Sequence, residues 1–125
     1  MSLQRSVAQQ IEEVVAEIQR AKTLPAAGAC PWLMNLLTQH GVAPDSGMLV
    51  RLSSTPDQGG DLFAGIWLTK DQRFFEFSII ADRNSNELIE VEAFQDVTSA
   101  MVVSANLKGH GKSFGYLALQ ALKDA

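Results

Sequence analysis

Reactive side chains are scarce in this chain, which has one cysteine, two histidines and one tyrosine among 125 residues. A single cysteine excludes an intrachain disulfide and leaves a reducing, cytoplasmic setting as the simplest expectation. The two histidines, His40 and His110, are far apart and show no ligand spacing of the H-E-x-x-H or C-x-x-C kind, so no metal site is expected. No apolar run approaches the roughly 20 residues that cross a bilayer. The opening residues lack a basic-then-apolar signal pattern, because Gln9, Gln10, Glu12 and Glu13 interrupt it. Membrane association is therefore not expected. Basic charge is also short, with 10 Lys and Arg against 14 Asp and Glu and a net charge of −4, which disfavours nucleic acid as a partner. There is no glycine fingerprint for a dinucleotide, no internal repeat and no low-complexity segment, and no cofactor is expected.

What is present fits an ordinary folded chain. Hydrophobic residues make up 46% and charged residues 19%, and the length fits a single domain over residues 1–125. A chain of this size buries enough surface to fold without metal or disulfide. The stretch from Asp61 to Ala105 holds five of the six phenylalanines and one of the two tryptophans. It also holds eight acidic and three basic residues, so the negative charge is concentrated there.

Periodicity predicts the elements. Leu3, Val7, Ile11, Val14, Val15 and Ile18 recur at three- and four-residue steps, so a helix is expected from Leu3 to about Lys22, ended by Pro25. The stripe has a heptad flavour that would allow it to pair two subunits, although packing on its own sheet is the simpler use. A second helix is expected from Pro31, since proline suits the first helical position, with Trp32, Leu33, Leu36 and Leu37 inward and Gly41 as the stop. Met48 to Leu52 reads as a short strand. Ser53 to Gly60 contains Pro56, Asp57, Gly59 and Gly60 and reads as a mobile loop.

Four strands then follow as a meander. Leu62 to Leu68 is nearly all apolar, as for a central strand covered on both faces or an interface. From Arg73 to Ala81, Phe75, Phe77 and Ile79 alternate with Phe74, Glu76, Ser78 and Ile80. From Glu87 to Phe94, Ile89, Val91 and Ala93 alternate with Leu88, Glu90, Glu92 and Phe94. A last strand is expected at Ser99 to Ala105, then a loop over Asn106 to Gly111, then a helix from Lys112 to Lys123.

Three groups of residues are candidates for chemistry. Cys30 precedes Pro31, so it falls near the start of the second helix, where exposed N–H groups and the helix dipole favour a thiolate. A Cys-dependent hydrolase also needs a base, which His110, or less readily His40, would supply. The plain alternative is a small buried hydrophobe. The second group, Gly109-His110-Gly111-Lys112-Ser113, resembles the end of a phosphate-binding P-loop, with Asn106 where the pattern asks for its first glycine. Nucleotide hydrolysis needs a parallel sheet and an acidic magnesium residue that nothing downstream supplies. Weak anion binding through Gly109, Gly111, Lys112 and Ser113 is the most this segment implies, and a glycine-softened turn into a helix is the plain reading.

The third group is the acidic row Glu76, Glu90 and Glu92. If the two alternating strands form a hairpin, these carboxylates share the non-core face with Phe74, Ile80, Leu88 and Phe94. Carboxylates on an open sheet are usually just solvated, but large apolar side chains among them need a cover.

The expected fold is α+β, with two N-terminal helices, an antiparallel sheet of about five strands as a meander, and a C-terminal helix packed on the sheet. The expected function is that of a small non-enzymatic protein-binding module, of inhibitor, immunity or chaperone-like type. It would use the face marked by Glu76, Glu90, Glu92, Phe74 and Phe94 against a basic protein partner. A homodimer through the 62–68 strand or the first helix is compatible with this. The alternatives are a hydrolase using Cys30 with His110, and a small-molecule carrier with a pocket between helices and sheet lined by Trp32, Trp67 and phenylalanines.

Overall fold

The computed structural model describes residues 7–105 and 114–124. Of the helix expected from Leu3, α1 spans Val7–Thr23 and turns Ile11, Val14 and Ile18 to a core, while Leu3 lies outside the described residues; a seven-residue α2 (Leu33–Gln39) follows. Four strands come next, β1 (Gly47–Asp57), β2 (Gly60–Thr69), β3 (Phe74–Asp82) and β4 (Leu88–Asp96), and then α3 (Thr98–Ala105) and α4 (Phe114–Lys123). The strands form one antiparallel sheet in the order β1-β2-β3-β4, so the class is α+β with a meander.

The sheet has four strands where about five were expected, because residues Ser99 to Ala105 are helical. The valines at 102 and 103 read as strand by propensity, but the chain leaves the sheet at Asp96. The Val97 N–H still donates to Phe74 O (2.9 Å), and the Phe74 N–H donates to the Thr98 hydroxyl (2.9 Å). The Asp96 carboxylate meanwhile accepts the Thr98 N–H (2.8 Å), which satisfies a donor at the helix start. Thr98 also donates its hydroxyl to that carboxylate, and these bonds, the hydroxyl first, hold the Asp96 carboxyl below the usual carboxylate range. The new helix packs on α4 at close range: a Cβ on Gly115 would lie 2.6 Å from the Met101 carbonyl oxygen, so only glycine fits there. Local propensity yields here to tertiary contact.

Ser53 to Gly60, expected as a mobile loop, instead continues β1 and begins β2. The hairpin turns at Gln58-Gly59, with Gly59 at φ 76°, a conformation that glycine reaches without strain. Arg83 pins the hairpin from the next turn. Its Nη2 donates to Asp57 O (2.6 Å) and Gly60 O (2.5 Å), and its Nε lies 3.4 Å from the Asp61 carboxylate. In the β3–β4 turn, the Asp82 carboxylate accepts the N–H groups of Ser85 (2.7 Å) and Asn84 (3.1 Å). The Ser85 bond is the main reason that this carboxyl too is held below its ordinary range.

Both faces of the sheet are packed, in two separate cores. One joins α2 to the sheet through Trp32, Leu33, Leu36 and Leu37 against Leu49, Leu52, Trp67, Phe75, Phe77, Ile79 and Ala81. The other joins α1 and α4 to the sheet through Ile18, Leu117, Ala118 and Ala121 against Met48, Val50, Ile66, Leu68 and Phe74. The nearly all-apolar 62–68 stretch is thereby accounted for: β2 is paired on both edges and buried on both faces from Gly65 to Thr69. With both edges occupied, it cannot pair two subunits through its backbone.

Three β-bulges set which side chain goes where. One places Val50 as an extra residue in β1, so Leu49 and Leu52, three apart, share the α2 face. Two more leave Ile89 and Glu92 as extra residues in β4. Strict alternation in β4 was expected, and the bulges break it.

Candidate functional site

The register shows how the sheet face under α1, α3 and α4 is divided. Met48, Leu68 and Phe74 lie buried beneath the helices. Moving away from the helices, the next cross-strand row is Arg51, Ile66, Glu76 and Gln95, followed by Ser53, Ala64, Ser78 and Ala93, then Thr55, Leu62, Ile80 and Glu90. Ile66 is the only buried side chain of these three rows, and the others are half-buried or exposed. Half of this face is therefore open among the described residues.

The candidate acidic row falls on this open half in part. Glu76 and Glu90 share it, both exposed, with Gln95 donating to the Glu76 carboxylate (3.2 Å). Glu92 is exposed at a bulge of the edge strand, next along the chain to Val91 and two residues from Glu90. Neither Glu90 nor Glu92 has an ion pair among the described residues, whose pairs are Arg51–Glu17, Arg73–Asp96 and Arg83–Asp61. At the inner edge of the open rows, Arg51 lies over the Phe114 ring (4.0 Å) while paired to Glu17 (3.3 Å). Its charge is thus already engaged.

The aromatic members expected on this face are elsewhere. Phe74 has the expected orientation but is fully buried under α1 and α4, so it offers nothing to a partner. Phe94 and Leu88 are on the opposite face. The bulges at Ile89 and Glu92 place Leu88, Val91 and Phe94 three residues apart on the side of Phe75, Phe77 and Ile79, where all three pack against the α2 core. The Phe94 ring stacks on His40 (centroids 4.1 Å apart) and on Phe75 (5.5 Å). Ile80 alone of the four apolar residues remains on the open half, half-buried. The open half is therefore acidic and small-residue in character, not acidic and aromatic.

Cys30 is placed by a different logic. The helix begins at Leu33, not Pro31, with Trp32 before it and the Cys30 carbonyl accepting the Leu33 N–H (3.0 Å). The thiol is 3% exposed in the α2 core beside Ala21 and Trp32. Burial pushes its pKa up to about 11, so at neutral pH it is a protonated thiol, the opposite of an activated nucleophile. His40, the other candidate base, is stacked on Phe94 and donates from Nδ1 to the Leu36 carbonyl (3.0 Å). His110, and the whole anion-binding candidate Gly109, Gly111, Lys112 and Ser113, lie outside the described residues.

The two tryptophans expected to line one pocket instead border two. Trp67 lines a cavity of about 650 Å³, and Trp32 one of about 340 Å³ with Asn35, Gln39 and Glu87. Each indole N–H is buried without an acceptor among the described residues. The sequence held no signal for this, because the cavities depend on how α1, α2 and the 43–48 segment meet the sheet. Among the described residues, no group of three or more His, Cys, Asp or Glu is disposed to hold a metal ion. No described helix is long and apolar enough to cross a membrane. Compared with known proteins, the chain matches no protein-family model, no curated protein and no solved structure.

Proposed function

We propose that the chain is a small non-enzymatic protein-binding module, of inhibitor, immunity or chaperone-like type, and that its working surface is the open half of the sheet around Glu76 and Glu90. The observation that carries this reading is the uneven cover of one sheet face. Helices bury the rows up to Phe74 and leave the next rows free among the described residues, and those rows carry Glu76 and Glu90, neither of which is in an ion pair among the described residues. The floor between the carboxylates is made of Ser53, Ala64, Ser78 and Ala93, and small side chains there let a partner's backbone approach closely. Glu92 and the 57% exposed Ile89, both at bulges, extend this surface along the β4 edge. A cationic protein surface is the chemical complement, drawn in by long-range attraction and fixed by contact with the floor.

The thiol supports the same reading indirectly, since a buried, protonated Cys30 speaks for packing and against nucleophilic catalysis. A reducing, cytoplasmic home belongs to the proposal, as does self-association through α1, on which Val15 is 38% exposed.

Affinity capture from a native lysate tests the surface. The expected partner is retained by the wild type at low salt and released at about 0.5 M salt, where the Debye length is well below the roughly 10 Å it has at 0.1 M. The triple variant Glu76→Lys, Glu90→Lys, Glu92→Lys is expected to retain nothing while keeping its fold. Capture that survives this charge reversal would sink the assignment.

A further inference from the structure

The cavity of about 650 Å³ lies away from the open sheet face, where the end of α1, the start of β1 and the β2–β3 turn meet. Its size is within the range of small-molecule sites, roughly 300–1,000 Å³. Much of its wall is apolar and comes from buried Met48, Leu49 and Trp67, with Met34 at 42% exposure on the lining. Methionine's flexible thioether adapts to the shape of an apolar guest.

The charge of the lining is unlike that of the chain. Lys22 and Lys70 both contribute to it, and no described carboxylate does, although the chain as a whole is at −4. Neither lysine is in an ion pair among the described residues. The Trp67 ring contributes apolar wall, while its indole N–H, like that of Trp32 outside this cavity, is buried and has no acceptor among the described residues. Unmet buried donors are uncommon in folded proteins and call for an explanation. An apolar wall with two free ammonium groups complements a molecule that is apolar along its body and anionic at one end. Multiply charged phosphates suit it less, since no arginine fork lines the cavity and much of the wall would face the anion with hydrocarbon.

We propose that this cavity binds a small amphipathic carboxylate, an alkyl chain or aromatic ring bearing one acid group. Lys22 and Lys70 hold the acid, and Trp67, Met48 and Leu49 receive the apolar body. The site is separate from the sheet face, so either proposal stands if the other fails.

Titration of the full chain with decanoate, decanol and decyltrimethylammonium tests this, read by tryptophan fluorescence and by the indole N–H resonances. Decanoate is expected to bind saturably and to move the Trp67 indole signal more than that of Trp32. Decanol binds about tenfold more weakly or worse, and the ammonium compound does not bind. The double variant Lys22→Gln, Lys70→Gln weakens decanoate by about tenfold and leaves decanol unchanged. Ala26→Trp, at an exposed position on the lining, fills the cavity and removes binding of both while the circular dichroism spectrum is preserved. The proposal is overturned by absence of saturable decanoate binding, by equal binding of the ammonium compound, or by wild-type decanoate affinity in the lysine double variant. Binding that persists in a folded Ala26→Trp variant overturns it as well.

Discussion

The two faces of the sheet are covered in opposite ways. On one, a single seven-residue helix suffices, because the sheet itself supplies the bulk: Phe63 and Phe77 pack on Trp32, Phe94 stacks on Phe75, Trp67 joins the same core, and the packing reaches the edge strand through Leu88 and Val91. On the other, three helices cover less of the sheet, because beyond Phe74 and Ile66 the strands offer mostly small or polar side chains, with Leu62 and Ile80 as the half-buried exceptions. The difference teaches that cover follows what the strands have to bury. A row of Ser53, Ala64, Ser78 and Ala93 has little apolar area to remove from water, so no described helix is drawn over it. What remains is an acidic half-face attached to a well-packed scaffold.

The sharpest way to break this contrast is to truncate one aromatic on each face. Phe77→Ala on the α2 side and Phe74→Ala on the α1 side are both fully buried and are each expected to lose about 3–5 kcal/mol in urea unfolding. A loss below about 1 kcal/mol at either would mean that its face is not packed as described.

Alkaline titration probes the α2 core at Cys30. Its pKa is raised from 9.0 to about 11 in the folded state, so between those values the unfolded chain releases a proton that the folded chain keeps. The stability from a buried neutral thiol is therefore fully present below about pH 9 and is lost as pH rises towards 11. Relative to Cys30→Val, the wild type is expected to lose on the order of 2 kcal/mol across that window, measured by urea unfolding at each pH. Parallel curves for the two proteins would place the thiol in water.

A smaller effect is expected where the α1 face ends. Thr98→Val removes the acceptor of the Phe74 N–H and a partner of the Asp96 carboxylate, at an expected cost of about 1–2 kcal/mol. The acid side gives an independent readout. Because Asp96 is held below the ordinary carboxylate range, its contribution is present above about pH 4 and is lost as the carboxyl protonates at lower pH, and the variant should show less of that loss. The smallest effect is expected on the open half. Ser78→Ala and Ala93→Ser should each change stability by no more than about 0.5 kcal/mol, and a larger cost would reveal a cover over this surface.

Much of the scaffold was legible in the sequence. The stripe on α1, the strand-like alternation of β3, the polar turns and the apolar run of β2 each announce a local period, and period is what a sequence carries most directly. The candidate surface was half legible. Glu76 and Glu90 fall on one face as alternation demands, but Phe94 and Leu88 do not, because two bulges in β4 insert residues that no local rule marked. Phe74 was given its correct face and a wrong exposure, since a strand pattern cannot say that α4 returns to cover it. Cys30 misled for a related reason. Proline at 31 fits a helix start, but the helix begins two residues later and the thiol turns into the core.

The sequence by itself determined the class, the meander, the acidity of its second half and the limits set by one cysteine and two histidines. Those follow from composition and from periods of two and 3.6 residues, which act within a few residues of each other. Tertiary structure decided the rest: that Thr98 begins a helix, that Ser53 to Gly60 is a hairpin held by Arg83, that both sheet faces have cores, and that Lys22, Lys70 and Trp67 border one cavity. Each of these depends on groups 20 or more residues apart meeting in space, and the free energy of those meetings outweighs the local preferences that the sequence displays.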